Sequence, residues 1–595
     1  MNETHLALMI RNRIQKYGER TALRYKEGGQ WKDISWNAMG EQIRAVAKGL
    51  LEMDVTAGDM VGLFAQNSPE WTIADYGILT VRGVSVPIYA TSSTKQAEYI
   101  INDGEIKIIF VGSQEQYNKV KTLADTSPYL KKIIVFDGNI NLEGSAISMY
   151  FKDLLSLGRK SGKDAELEER LKNASINDIA TVIYTSGTTG EPKGVMLHHS
   201  TFYHSFPAHV KRLDVSDQDV SLCFLPLTHV FERTWCFFTS SVGMIISYCD
   251  ETTRIIECLQ EVKPTVMCAV PRFYEKIYSA VFERLGSASP MKKKLFTWAI
   301  KVGEQVYLRE KEKMAIPAGL KLKHMIAGKL VLNKIRNIVG GRIRFFPCAG
   351  APLSKEIEEF FHSAGVFITC GYGLTETCAT VTCHEKYHFK PGTVGKPIDG
   401  VEVKIADNGE ILVKGPTITK GYYKKPEATA ESFEDGWFKT GDVGVLEDGY
   451  LTITDRIKDL MKTSGGKYIA PQLVETMIGK DYYIDQIAVI GESRKFVAAL
   501  IVPAFDALEE YAKSHDISYS SRDELVKNPA IVAFYEKRIA ENSQELAGYE
   551  QIKKFTLLAR PFTQEAGEMT PTMKLKRKAI METYKDTIEN MYQEK

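Results

Sequence analysis

The sequence predicts an α/β protein: a large N-terminal domain of two βα-layered units plus a small β subdomain, followed by a small α+β C-terminal domain. Three observations predict it. Short apolar runs alternate with helical patterns through the first third, at Val61 to Ala65, Val84 to Tyr89, Ile106 to Val111 and Lys132 to Phe136, as in a mostly parallel sheet covered by helices. Similar runs at Thr265 to Val270 and Arg342 to Phe346 suggest a second such unit. From about Gly395 the pattern changes to short β-rich pieces with turn signals at Asp407-Asn-Gly409 and Glu447-Asp-Gly449.

The elements follow in order. The first twenty residues, MNETHLALMIRNRIQKYGER, read as an amphipathic helix and lack the apolar core of a signal peptide, so a cytoplasmic location is expected. Ile179 to Tyr184 reads as a buried strand, and Gln486 to Gly491 and Phe496 to Val502 as strands of a C-terminal lobe that continues in helices. The apolar stretch Trp235 to Cys249 is shorter than the ~20 residues of a spanning helix and is interrupted by Thr239, Ser240, Ser241 and Gly243. With 595 residues, 44% hydrophobic and 25% charged, the chain is long enough for several units. Its formal net charge of +1 gives no global attraction to nucleic acid, and none is expected as a partner. The nine cysteines lie between Cys223 and Cys383 without CxxC spacing, which fits reduced, buried thiols rather than a disulfide framework or a zinc site.

The segment YTSGTTGEPKG, Tyr184 to Gly194, carries the strongest chemical signal. Gly187 and Gly190 allow tight turns that bring amide groups to phosphate oxygens, while Thr185, Ser186, Thr188 and Thr189 add hydroxyls and Lys193 a positive charge. The spacing is not GxxxxGK[ST], which disfavours a P-loop kinase or GTPase. A second cluster, Gly371-Tyr-Gly-Leu-Thr-Glu-Thr377, offers Tyr372 as a flat face for a purine, Gly371 and Gly373 for close approach, a Thr375 hydroxyl and a Glu376 oxygen for Mg²⁺. Upstream, Gly350, Ala351 and Pro352 form another close-approach turn before a helix cap at Ser354. Asp442 is a carboxylate suited to two ribose hydroxyls, and Arg456 and Lys458 could reach a phosphate or ribose; each alone would more often be a solvated loop charge.

Taken together, YTSGTTGEPKG, GYGLTET, WFKTGD, DRIKDLMKTSGGKYIAP and TPTMKLKR, in this order, resemble the adenylate-forming superfamily of acyl-CoA synthetases, luciferases and peptide-synthetase adenylation domains, and more narrowly bacterial long-chain fatty acid CoA ligases. The likeness runs from NSPEW at Asn67 to the C-terminal TMKLKR. It implies an N-terminal domain over 1–457 holding the ATP and acyl sites, and a mobile C-terminal domain over 458–595 that rotates between two half-reactions. A fatty carboxylate first attacks the α-phosphorus of MgATP to give acyl-AMP and pyrophosphate, and the thiol of coenzyme A then expels AMP.

The same resemblance makes Lys574 the adenylation lysine, with Met573 standing where many relatives have glycine. It makes Thr375 and Glu376 catalytic and Glu376 the magnesium ligand. It assigns Gly350, Ala351, Pro352, Gly371, Tyr372, Gly373, Asp442 and Arg456 to adenine and ribose, Lys458 to the hinge, and Lys462 and Gly465 to coenzyme A and the second step. In FLPLTHVFER, His229 falls at a substrate-side histidine and is expected to line the acyl pocket; Arg233 stands where some relatives carry a tryptophan gate.

Two alternatives stay open at this point: an acyl-AMP ligase that loads a carrier-protein thiol, and a nucleotide-gated scaffold without turnover. The lysine-rich helical stretch 292–344, with Lys293, Lys294, Lys301, Lys311, Lys321, Lys323, Lys329 and Lys334, reads either as a solvated face, as a peripheral membrane surface that gathers fatty acid, or as a contact for the 3′-phosphate of coenzyme A.

Overall fold

The computed structural model describes residues 4–142, 144–185, 191–249, 251–457, 459–464, 467–564, 566–570 and 575–593. Among them, the first unit is a seven-stranded sheet ordered Ser148–Tyr150, Lys132–Val135, Ile108–Val111, Met60–Phe64, Val84–Ile88, Ile179–Thr185 and Lys193–His198. All neighbours are parallel except the last pair, an antiparallel hairpin. The strands Met60–Phe64, Val84–Ile88 and Ile108–Val111 are buried throughout, as expected where helices cover both faces of a parallel sheet. Helix starts are set by hydroxyl caps: Ser35, Ser68, Ser93 and Ser113 each accept an amide of the first turn.

A second sheet is ordered Val220–Cys223, Ile245–Tyr248, Thr21–Glu27 and Gln30–Ser35. It therefore recruits an early hairpin that local sequence did not place there. The apolar stretch Trp235 to Cys249 divides into a buried helix, Val230–Val242, turned by left-handed Gly243 into the strand Ile245–Tyr248. The predicted strand at Thr265 to Val270 survives only as isolated bridges at Val266 and Ala269, which link Ser221 to Phe345 and Cys348. Pro264 and Pro271, one at each end, lack the amide hydrogens that would extend the ladder.

The β subdomain is a five-stranded sheet in which Trp437–Glu447 pairs with Tyr450–Arg456. Its two-residue turn has Asp448 at φ 52° and Gly449 at φ 78°, the doubly left-handed conformation that a tight hairpin requires. The C-terminal lobe has its own sheet, Ile484–Ile490, Val497–Pro503 and Ile552–Leu557. The third strand contradicts the expectation of helices only beyond Val502; Lys553 and Lys554 interrupt the apolar run that would have revealed it. One hydrophobic cluster fills this lobe, and its buried members all fall between Met461 and Met591. Contacts joining the lobe to the helices Pro271–Gly286 and Lys355–Ser363 are polar: Arg272 to Asp485 at 2.7 Å, Lys480 to Glu356 at 3.3 Å and the Ser279 hydroxyl to the Lys480 carbonyl at 3.4 Å.

The lysine-rich stretch forms the helices Pro290–Lys311, Ala318–Ala327 and Asn333–Ile338, anchored through Ala299, Val302, Ala327 and Leu332. Among the described residues, no helix is long and apolar enough to cross a membrane.

Candidate active site

The hairpin Ile179–Thr185 and Lys193–His198 carries the ends of the candidate phosphate-binding motif, with Thr185 paired to Lys193 in register. Ser186, Gly187, Thr188, Thr189 and Gly190 lie outside the described residues. The Lys193 ammonium stands 5.0 Å above the Tyr422 ring, and the Tyr422 hydroxyl donates to Glu376 Oε1 at 2.9 Å. Thr419 completes the brace: its amide donates to the Glu376 carbonyl at 2.7 Å and its hydroxyl to the Met196 carbonyl at 2.7 Å. The segment Thr419 to Tyr422 thus ties the glycine-rich turn to the hairpin, a connection with no sequence signal beyond the aromatic pair Tyr422-Tyr423.

Glu376 and Thr375 occupy a short 3₁₀ turn, Thr375–Thr377, at the end of the strand Phe367–Tyr372. Immediately after it, Cys378 (φ 51°) and Ala379 (φ 75°) are both left-handed, an uncommon conformation for residues with a Cβ and one that concentrates at functional turns. Gly373 is obligatory here, because a Cβ would sit 2.0 Å from the Ala379 carbonyl oxygen. Burial raises the Glu376 pKa above the usual carboxylate value.

The ribose candidates meet across three motifs. Asp442 is buried; its Oδ2 accepts the Tyr372 hydroxyl at 2.6 Å and its Oδ1 accepts Arg456 Nε at 2.9 Å. Asp442 and Arg456 are also register partners on neighbouring strands. Burial and the adjacent Asp442 carboxylate push the Tyr372 phenol well above its ordinary pKa, so it remains a donor at neutral pH. Gly350, Ala351 and Pro352 are exposed, with Gly350 left-handed at φ 94°, and Ser354 caps the following helix by accepting the Ile357 amide at 3.3 Å.

Next to these groups lies an apolar cavity of about 40 Å³, lined by Phe231, Trp235, Phe238, Ala349, Gly371 and Tyr372 among others. The histidine on its wall is His209, whose Nε2 is 3.0 Å from the Thr380 hydroxyl. Sequence reasoning passed over His209 because it is one of several histidines on the helix His199–Arg212. His229 instead caps the Val230–Val242 helix, its Nδ1 accepting the Phe231 amide at 3.2 Å. Arg233, at the gate position, is fully buried: it pairs with Asp75 at 2.5 Å, donates to the Thr181 hydroxyl at 2.6 Å and lies 5.4 Å over both Trp71 and Phe237. It locks two helices to the sheet.

Lys462 is exposed on the strand Met461–Lys462, and its amide donates to Glu492 at 2.9 Å. Lys574, Lys458 and Gly465 lie outside the described residues. Arg577, three residues beyond Lys574, is fixed by Glu475 at 2.7 Å and the Val489 carbonyl at 2.7 Å.

Comparison with known proteins settles the family. The AMP-binding enzyme family matches residues 10–423, and its C-terminal domain matches residues 458–595. The chain belongs to the AMP-binding enzyme family. Among curated relatives, it is 35% identical to the long-chain-fatty-acid–CoA ligase FadD15 of Mycobacterium bovis over 95% of this chain and 93% of that protein. It is 32% identical to the peroxisomal long chain acyl-CoA synthetase 6 of Arabidopsis thaliana, over 95% of this chain and 82% of that protein. The adenylation domain of the carboxylic acid reductase from Segniliparus rugosus, solved with AMP and a co-purified carboxylic acid, superposes with a TM-score of 0.78 at 22% identity over 99% of this chain and 94% of that one, which shows the shared fold.

The residues present fit the magnesium expected of an AMP-binding enzyme: Glu376 offers a hard carboxylate oxygen, and a divalent cation would offset the burial that disfavours its ionised form.

Proposed function

We propose that this AMP-binding enzyme ligates a long-chain fatty acid to coenzyme A through an acyl-AMP intermediate, releasing pyrophosphate and AMP. Two networks support the reading by drawing four of the five sequence motifs, with Tyr422, to one place: Tyr372, Asp442 and Arg456 on one side, Lys193, Tyr422 and Glu376 on the other. The 35% identity to a long-chain-fatty-acid–CoA ligase over nearly the whole chain supports the substrate class.

In the adenylation step, Asp442 and Arg456 hold the ribose, and Gly350, Ala351, Pro352, Gly371, Tyr372 and Gly373 bound the adenine. Thr185 to Gly190 and Lys193 hold the β- and γ-phosphates, the part that leaves as pyrophosphate. Lys574 bridges the fatty carboxylate and the α-phosphate, which would otherwise repel each other. Glu376, with Thr375 beside it, would hold magnesium, and the bound cation would supply neutralisation of phosphate charge. The fatty tail enters along the apolar cavity past His209, bordered by the Val230–Val242 helix that His229 caps.

The domains divide at 457/458, and Lys458 is the hinge about which 458–595 turns to present Lys462 and Gly465 to coenzyme A for the second step. The lysine-rich helices are proposed to rest on an anionic membrane from which fatty acid is drawn. Their outer side supports this, since Met291, Leu322 and Met325 are 79%, 55% and 65% exposed among the lysines.

The deciding experiment offers acids from acetate to oleate with ATP and coenzyme A and measures acyl-CoA by mass. Long-chain acyl-CoA is the expected product. Activity confined to acetate or aromatic acids would overturn the fatty acid assignment, and pyrophosphate release with neither acyl-CoA formation nor AMP release would point to a carrier-protein acceptor instead.

A further inference from the structure

Three side chains from separate elements converge at the strand Phe367–Tyr372: Glu358 from the helix Lys355–Ser363, Cys370 from the strand itself, and His384 just after Thr382–Cys383. Their ligand atoms all lie within 4.8 Å of one another, and all three residues are buried.

The hydrogen-bond pattern fixes which imidazole nitrogen is available. The Thr393 hydroxyl donates its single hydrogen to the Lys390 carbonyl at 2.8 Å, so toward His384 Nε2, 3.1 Å away, it can only accept. Nε2 therefore carries the proton. Nδ1 lies 3.2 Å from Glu358 Oε1, and neither atom has a hydrogen-bond partner among the described residues. Two buried, unpartnered ligand atoms this close call for a shared proton, on the imidazole or on the carboxyl, or for a cation. The other Glu358 oxygen is already oriented by the Gly392 amide at 3.0 Å.

The geometry points to a metal site formed by Glu358 Oε1, Cys370 Sγ and His384 Nδ1 that takes a borderline-soft divalent cation, zinc by preference. Carboxylate, thiolate and imidazole are the donor types zinc selects, and a histidine ligand ordinarily donates its other nitrogen to an orienting acceptor, here Thr393. Cys348, the register partner of Cys370 on the neighbouring parallel strand, is the candidate for a fourth position. This reverses the expectation drawn from the absence of CxxC spacing: the ligands at 358, 370 and 384 belong to three elements brought together only by folding. Such a metal would pin the strand that carries Tyr372, two residues from Cys370, to the helix behind it, independently of which acid the enzyme uses.

The test begins with untagged full-length protein purified without chelator. Elemental analysis is expected to find about one zinc per chain, with the metal lost in Cys370→Ser and His384→Gln. Exchange with Co²⁺ is expected to give a thiolate-to-cobalt charge-transfer band, and Thr393→Val to weaken metal affinity about 10- to 100-fold by releasing the second nitrogen. Folded wild-type protein that is free of zinc and shows no thiolate band with Co²⁺ would overturn the site and leave a proton shared between imidazole and carboxyl. That result needs no variant, so it decides the question even where a substitution prevents folding.

Discussion

The Tyr372 hydroxyl donates to Asp442 Oδ2 at 2.6 Å across a sequence separation of 70 residues. This bond, continued to Arg456, makes the Asp442 carboxylate a shared property of three motifs. Tyr372→Phe removes a donor to a buried carboxylate without removing the ring. A hydrogen bond to a charged group is worth about 1.5–3 kcal/mol, so denaturant unfolding should show a loss of that size. We also expect KM for ATP to rise about tenfold as Asp442 loses its fixed orientation, equivalent to about 1.4 kcal/mol. Unchanged stability together with unchanged KM would sever Tyr372 from ribose binding.

Arg233 and Asp75 form a fully buried pair, 1% and 2% exposed in their side chains. Removing one partner strands the other, and Arg233→Met alone is expected to destabilise the protein by about 3–5 kcal/mol in chemical unfolding. The double change Asp75→Leu with Arg233→Met should recover most of that loss. Equal losses in the single and double variants would show that packing, not charge, governs the site.

Glu232 lies beside Arg233 on the same helix; burial raises its pKa from 4.5 to about 8. A carboxyl whose folded pKa exceeds its unfolded value contributes stability that is complete below about pH 4.5 and is lost as pH rises toward 8. The slope from one proton is at most about 1.4 kcal/mol per pH unit. Thermal unfolding of Glu232→Gln should therefore fall less steeply than wild type between these limits and exceed it above pH 8. Parallel profiles would place the glutamate's ionisation elsewhere.

Lys574→Ala is expected to reduce acyl-AMP formation about 10²- to 10³-fold, the usual consequence of deleting one group that stabilises developing charge. Thioester formation from supplied acyl-AMP should be spared. Pyrophosphate release and acyl-CoA formation measured separately give the comparison, and equal loss in both would refute a division of labour between the two faces of the C-terminal domain.

Reversing Lys293, Lys294, Lys321 and Lys323 to glutamate should abolish co-sedimentation with vesicles rich in anionic lipid, since each basic residue near such a surface contributes about 1 kcal/mol. Activity on detergent-dispersed substrate should persist. Unaltered co-sedimentation would return these helices to the solvated-face reading.

Legibility in the sequence followed the range of the interaction. Strands such as Met60–Phe64 and the cap at Ser354 announce themselves within a few residues, and the structure contains them. The hairpin Thr21–Glu27 with Gln30–Ser35 drew no reading from the sequence, and its sheet neighbour, Ile245–Tyr248, lies more than two hundred residues away. The strand Ile552–Leu557 was missed because its lysines hide a pattern that only the neighbouring Val497–Pro503 completes. At the site, motif residues were readable by type, whereas Tyr422 and His209 act through partners, Glu376 and Thr380, that no local spacing reveals.

The joint between the two lobes has a further consequence. Arg272 and Asp485 are 39% and 40% exposed, and ion pairs so wet contribute about 0–1 kcal/mol each. The oily interior of the C-terminal lobe is closed by its own residues, so undoing this joint uncovers little that water would reject. The re-docking proposed for residues 458–595 would then meet only a shallow barrier, with both lobes remaining folded throughout.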